Sequence, residues 1–405
     1  VNLRTALCAI GLVGFSFAAL ADDTSPGAAA AAAANNSFAI DAYPKVARAA
    51  GNLAFSPYSA ESALTMAWLG ARAQTARQMA DVLHIGRDRA VVAEQFAALR
   101  ARLVPDDQDE SKGSSFRVIV ANSIWCQQGA PFKAEFLKVG QVQFGATLSQ
   151  VDFKNSGDVA GQINGWVAKA TSGRIDAVFS PADLDSTTRM VLANAIYFKD
   201  RWQNHFPSEK TKDAPFHLSD GASTNVPLMN VTGVFSYGES KTMQVLELPF
   251  ETGQFSMVIM LPKEIDGVPE LERSMNVVDM TQNMSWVKPQ DVNVFLPRFK
   301  CETRMHLQDA LQELGMTDAF SPDFAKFSGM ADERLCIGPV VQKCGVEVDE
   351  NGAEAFSTSA LMMMLGLAAQ PKPDAFVFRA DHPFFFLIRH NQTGAILFMG
   401  RVTRP

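Results

Sequence analysis

The sequence predicts an α+β fold in one large domain. Apolar residues recur at helical spacing through the first 175 residues, and aromatic or β-branched runs bounded by Pro or Gly dominate after them, without strict strand–helix alternation. No linker composition interrupts the chain after residue 37, so 38–405 reads as a single unit of a 405-residue sequence.

The opening residues have the form of a secretory signal over 1–21. Arg4 supplies a charge, Ala6–Leu20 an apolar run too short to span a bilayer, and Ala19-Leu20-Ala21 a small-x-small cleavage pattern. Val1 in place of Met fits an alternative start codon, hence a bacterial source, and export implies a secreted or periplasmic protein with no membrane anchor after cleavage. Residues 22–37, with the Ala28–Ala34 run, are expected to be an Ala-rich tether, since a uniform Ala run defines no apolar face.

Ser59-Ala60-Glu61-Ser62 is expected to open a helix carrying Leu64, Trp68 and Leu69, capped by Ser59. Thr75-Ala76-Arg77-Gln78 has capping-box spacing ahead of Met79, Val82 and Leu83. Ile163, Trp166, Val167 and Ala170 form another stripe, closed by Gly173. Strands are expected over Phe116–Trp125, Met190–Phe198, Phe255–Leu261, Val292–Phe295, Phe384–Ile388 and Ile396–Val402, with a hairpin turn at His390–Gly394.

A net charge of −7, with basic residues scattered, favours neither nucleic acid nor an anionic membrane as partner. The histidines His84, His205, His217, His306, His382 and His390 lack ligand spacing, and there is no H-E-x-x-H, Gly-rich phosphate loop or G-x-S-x-G elbow. No metal, cofactor or catalytic residue is therefore expected, and the chain reads as a non-enzyme. Cys126, Cys301, Cys336 and Cys344 allow three pairings or none.

The most informative stretch is Val346–Leu367. Val346 and Val348 alternate with Glu347 and Asp349 before Asn351-Gly352, the ordinary signal of a hairpin and tight turn. Beyond it, Ala353, Ala355, Ser357, Ser359, Leu361 and Met363 form an uncharged alternate set fit to face a core, while Glu354, Phe356, Thr358 and Ala360 form the opposite set. Leu361–Leu365 would also suit a helix.

Four separated blocks resemble the serpins, inhibitors that trap a protease by inserting a cleaved loop into their own sheet. The blocks are Asn52–Ser59 with Leu69-Gly70-Ala71, Val191–Lys199 with Trp202, the hinge around Gly352, and Phe378–Phe386 with Phe398–Val402. The resemblance implies a large central mixed β-sheet, flanking helices and an exposed reactive-centre loop over about 352–375. It also implies a hinge of Glu350, Gly352, Ala353, Glu354, Ala355, Phe356 and Ser357. Ser56, Ser59, Asn194 and Gln342 would form the shutter beneath the sheet, and Trp202 would lie near the breach where insertion begins. Gln342 replaces the family's common histidine and cannot take up a proton. Ala353 and Phe356 also depart from the usual residues, Ala353 on the inward side and Phe356 on the outward one.

Family spacing places the reactive bond at Gly366–Leu367, with Met363, Met364 and Leu365 as neighbouring specificity residues. Such a sequence would bait elastase-like, subtilisin-like or chymotrypsin-like serine proteases, or papain-like cysteine proteases, rather than trypsin-like ones. The resemblance thus implies a monomeric suicide inhibitor. The other reading it allows is a non-inhibitory serpin acting as a binding or chaperone-like protein, and small inward residues at the hinge favour insertion.

Overall fold

The structure is a computed structural model and describes residues 25–104, 116–171, 173–175, 177–184, 186, 188–275, 286–353 and 375–405. The α+β class is the one found, with helices flanking two sheets among the described residues.

Helices α1 (Pro26–Val46), α2 (Pro57–Gly70), α3 (Ala73–Val82), α4 (Arg89–Leu103), α5 (Ala134–Phe144) and α6 (Ser156–Ala170) occupy the first part of the chain, with strands β1 (Leu53–Phe55), β2 (Arg117–Gln127) and β3 (Thr147–Val151) between them. Strands dominate afterwards: β4 (Met190–Arg201), β5 (Lys212–His217), β6 (Ser223–Glu239), β7 (Met243–Pro249) and β8 (Phe255–Pro262), then helix α7 (Val268–Ser274). Next come β9 (Lys288–Pro297), β10 (Phe299–His306), the short helix α8 (Gln308–Glu313), β11 (Val340–Val348) and β12 (Gly352–Ala353). The chain closes with β13 (Phe376–Arg379), β14 (Phe384–His390) and β15 (Ile396–Val402).

One sheet runs β1-β15-β14-β8-β7-β6-β9-β13 with β5 added on β6, and the other runs β10-β11-β12-β4-β2-β3. The second is mixed: β4 is antiparallel to β2 but parallel to β11, and β3 is parallel to β2. Its two faces are separately filled. Alternate residues of β4, Leu192, Ile196 and Phe198, enter the main core, whereas Val191, Ala193 and Ala195 pack with Val159, Ile163 and Val167 of α6. That is the period-two rule applied to a strand covered on both sides.

The expected tether is corrected. From Pro26 onward it is the first half of α1, capped by the Ser25 hydroxyl, and Ala28, Ala31, Ala32 and Ala34 are buried. An Ala run defines no amphipathic face by itself, but it lets helix backbones approach closely: Gly27 sits with the Gln95 backbone 3.6 Å from where its Cβ would be. Asn35 and Asn36 then donate their side-chain amides to the carbonyls of Ile396 and Gly394, fixing α1 to β15 and the preceding turn.

The caps also differ from expectation. Ser56, with Pro57 at the first helical position, caps α2, three residues ahead of Ser59. The Thr75 hydroxyl accepts from the Lys326 backbone instead of starting a capping box, and α3 begins at Ala73. Gly173 does take the left-handed conformation after α6, and the turn 390–394 joins β14 to β15.

Candidate functional site

The expected hinge begins with local chemistry. The Asp349 carboxylate accepts from the Asn351 N–H at 2.7 Å and the Gly352 N–H at 3.2 Å, turning β11 back on itself. The chain then forms β12, a two-residue strand between β11 and β4: Ala353 is opposite Val348 on one side and Asp200 on the other, and Gly352 is opposite Arg201. A Cβ on Gly352 would lie 2.1 Å from the Asp200 carbonyl oxygen, so only glycine permits this approach. Ala353 is 2% exposed and belongs to the main core. The hairpin reading of 346–352 and the strand reading of the hinge therefore describe the same few residues.

Below this rung, among the described residues, β11 and β4 diverge before they pair again. β11 and β4 pair in parallel only from Val340–Leu192 to Lys343–Ala195 among the described residues. Between that ladder and β12 lies a cleft lined by Ile196, Tyr197, Cys344, Gly345 and Val346, and nearer the hinge by Phe198, Ala353 and Ile388. This one short strand holds β11 and β4 apart at the top.

Trp202 holds the top of this opening. It is buried, stacks on Phe250 with centroids 4.7 Å apart, donates its indole N–H to the Asp349 carbonyl at 2.9 Å, and donates its backbone N–H to Asn351. Glu350 lies beside it. Arg298 reaches both Glu350 carboxylate oxygens, with Nε at 2.9 Å from each, and the Thr211 hydroxyl adds a bond of 2.6 Å. Burial alone would push the Glu350 carboxyl up, but these donors outweigh it and hold its pKa below the ordinary carboxylate value. Asp200 goes the other way: burial pushes it up to about 6 despite bonds from Thr252 and the Arg201 N–H.

At the foot of the cleft, Gln342 on β11 bonds to Ser56 twice. Its Oε1 accepts from the Ser56 N–H at 3.0 Å and its Nε2 donates to the Ser56 carbonyl at 2.8 Å, while the Ser56 hydroxyl donates to the Leu397 carbonyl. Asn194 on β4 donates to Asn122 on β2, and Asn122 donates in turn to the Ser62 hydroxyl and the Phe144 carbonyl. Each of the two parallel strands is thus anchored, directly or through β2, to α2. The Ser59 N–H reaches the Ser56 hydroxyl, but the Ser59 hydroxyl has no partner among the described residues.

The structure thus brings Ser56, Asn194 and Gln342 together beneath the strands, and Glu350, Gly352, Ala353 and Trp202 together at the top. Ser59 supports Ser56 only through its backbone. The remaining expected residues, Glu354, Ala355, Phe356, Ser357, Met363, Met364, Leu365, Gly366 and Leu367, lie outside the described residues. Asn122, Arg298 and Thr211 escaped sequence reasoning, because each is an ordinary polar residue whose partner is far along the chain. Cys126, Cys301 and Cys344 are free thiols, and Cys344 lies on β11 two residues from Gln342, where burial pushes its pKa up. His382, read as a structural histidine, bonds to Asp381 at 3.0 Å and to the Pro262 carbonyl at 2.7 Å.

A family model described as serpin (serine protease inhibitor) matches residues 33–405. The chain is 36% identical over 387 residues to human leukocyte elastase inhibitor, covering 92% of this chain and 98% of that protein. It is 37% identical over 372 residues to a serpin-like protein of Thermococcus kodakarensis, covering 91% and 84%. Among solved structures, Serpin48 of the insect Tenebrio molitor superposes with a TM-score of 0.82 at 31% identity, over 93% of this chain and 98% of that one. Uncleaved ovalbumin gives 0.81 at 30% identity, over 93% and 100%. With family motifs, overall identity and fold in agreement along almost its whole length, the chain belongs to the serpin family.

Proposed function

We propose that this serpin inhibits serine endopeptidases as a suicide substrate. The observation that carries the reading is β12: the hinge already occupies the first rung between β11 and β4, above an open cleft. A protease attacking the Gly366 carbonyl forms an ester and releases the Leu367 amine. The segment from Ala353 to Gly366 is then free to continue β12 down the cleft.

The new strand would pair on both sides. On the order of ten ladder bonds at about 1 kcal/mol net each, with burial of Leu361 and Met363 at roughly 1.5–3 kcal/mol apiece, is comparable to the whole stability of a typical domain. Insertion past Cys344 must separate the four residue pairs from Val340–Leu192 to Lys343–Ala195, so the anchors at Gln342 and Asn194 set the resistance. Leu365 and Gly366 suit elastase-like, subtilisin-like or, one bond earlier, chymotrypsin-like enzymes, and papain-like cysteine proteases that read the preceding apolar residue. The protein is read as a bacterial monomer, secreted or periplasmic, consistent with the signal-like 1–21 segment.

The test mixes the protein with near-equimolar amounts of each protease class, followed by denaturing gels and mass spectrometry. A detergent-stable complex with cleavage at or near Gly366 is expected. Clean cleavage without a complex for every enzyme would replace inhibition by the non-inhibitory binding role.

A further inference from the structure

We infer that Glu61 makes the closed shutter proton-linked: it is held as an uncharged carboxylic acid in the core of α2, and raising the pH loosens α2 and eases the parting of β4 from β11. Glu61 is 0% exposed, and neither carboxyl oxygen has a hydrogen-bond partner among the described residues. Tyr58 and Thr65, three residues before and four after, share its side of the helix. The Thr65 hydroxyl is also buried without a partner among the described residues, so neither it nor any other described donor bonds to the Glu61 carboxyl.

The helix packs against α1, α3, α4, α5, β4 and β15. From those elements Arg100 of α4 acts electrostatically on Tyr58, as does Glu61 itself, whereas burial is what acts on Glu61 among the described residues. A carboxylate buried without partner or donor is far costlier than the neutral acid, so burial pushes the pKa of this group well above its ordinary value.

The consequence reaches the sheet because α2 is the common anchor. Gln342 of β11 is fixed to Ser56 at its N-terminus, and Asn194 of β4 is fixed through Asn122 to Ser62, the neighbour of Glu61. An opened α2 admits water to Glu61 and releases its proton; the closed one retains it. Above the ordinary carboxylate pKa and below the shifted one, the opening constant therefore rises by up to about tenfold per pH unit. Gln342 provides no titrating ring at the shutter, so the linkage is carried by the helix below it.

Hydrogen exchange of the full chain between about pH 5 and 8, corrected for intrinsic rates, tests this through the amides of 58–70 and of Asn194. Opening constants in the native protein are expected to climb with pH, by up to about tenfold per unit, and those of Glu61→Gln to stay level. Parallel profiles in the two proteins would overturn the inference. Should the variant not fold, a carbon-13 titration of carboxyl-labelled glutamate in the native protein decides. One carboxyl still protonated at neutral pH supports the linkage, and all carboxyls titrating in the ordinary range refutes it.

Discussion

Gln342→Leu tests the shutter geometry most directly. Leucine matches the aliphatic body of glutamine but has no polar atom, and the site is 2% exposed. The Ser56 N–H loses its acceptor at 3.0 Å, whereas the Ser56 carbonyl loses the Gln342 amide and keeps the Ala60 N–H at 3.2 Å. A stranded buried donor costs about 1–3 kcal/mol, and the second carbonyl bond contributes about 1 kcal/mol net, so the variant should be destabilised by roughly 2–4 kcal/mol. For a chain of this size that is on the order of 3–5 °C in melting temperature. Thermal unfolding gives the total, and exchange at the Ser56 amide localises it. Unchanged protection of that amide, together with a melting temperature within about 1 °C, would refute the anchoring argument.

Three further outcomes are expected. Gly352→Val places a Cβ against the Asp200 carbonyl, expels β12 from the sheet, and should raise proteolytic cutting near 349–353; unchanged susceptibility would mean the hinge is not seated there. Glu350→Gln removes the charge that Arg298 holds, and because Arg298 is half-exposed the loss should be about 1 kcal/mol by denaturant unfolding at neutral pH. As the Glu350 pKa is depressed, that stabilisation is present above the ordinary carboxylate pKa and fades as pH falls through the lower folded value, so native and variant proteins should converge in acid. His390 is pushed down to about 4, chiefly by burial and then by Arg102. Its neutral ring accepts the Thr393 N–H, so stability should fall as pH drops from about 6.5 to about 4, and His390→Gln should flatten that slope; an identical slope in both proteins would exclude His390 as its source.

What the sequence determined by itself is what depends on neighbours a few residues apart. The turn at 349–352, the apolar stripe of α6 with its left-handed Gly173, and the hairpin of β14 and β15 are all local, and their signals were readable. The family-like blocks added Ser56, Asn194, Trp202 and Gln342 as residues expected around the sheet opening. Strands β1, β3, β5, β6, β7, β10 and β13 went unforeseen; β6 alternates irregularly between buried and exposed positions and follows a mostly exposed β5. The helix over 26–46 was decided by its packing, because Ala residues with no polarity pattern become a buried face only once α4 and β15 lie against them. Asn122 and Arg298 acquired roles in the same way: a polar side chain can bond to anything within about 3 Å, and only the tertiary structure brings it within 3 Å of Asn194 or Glu350.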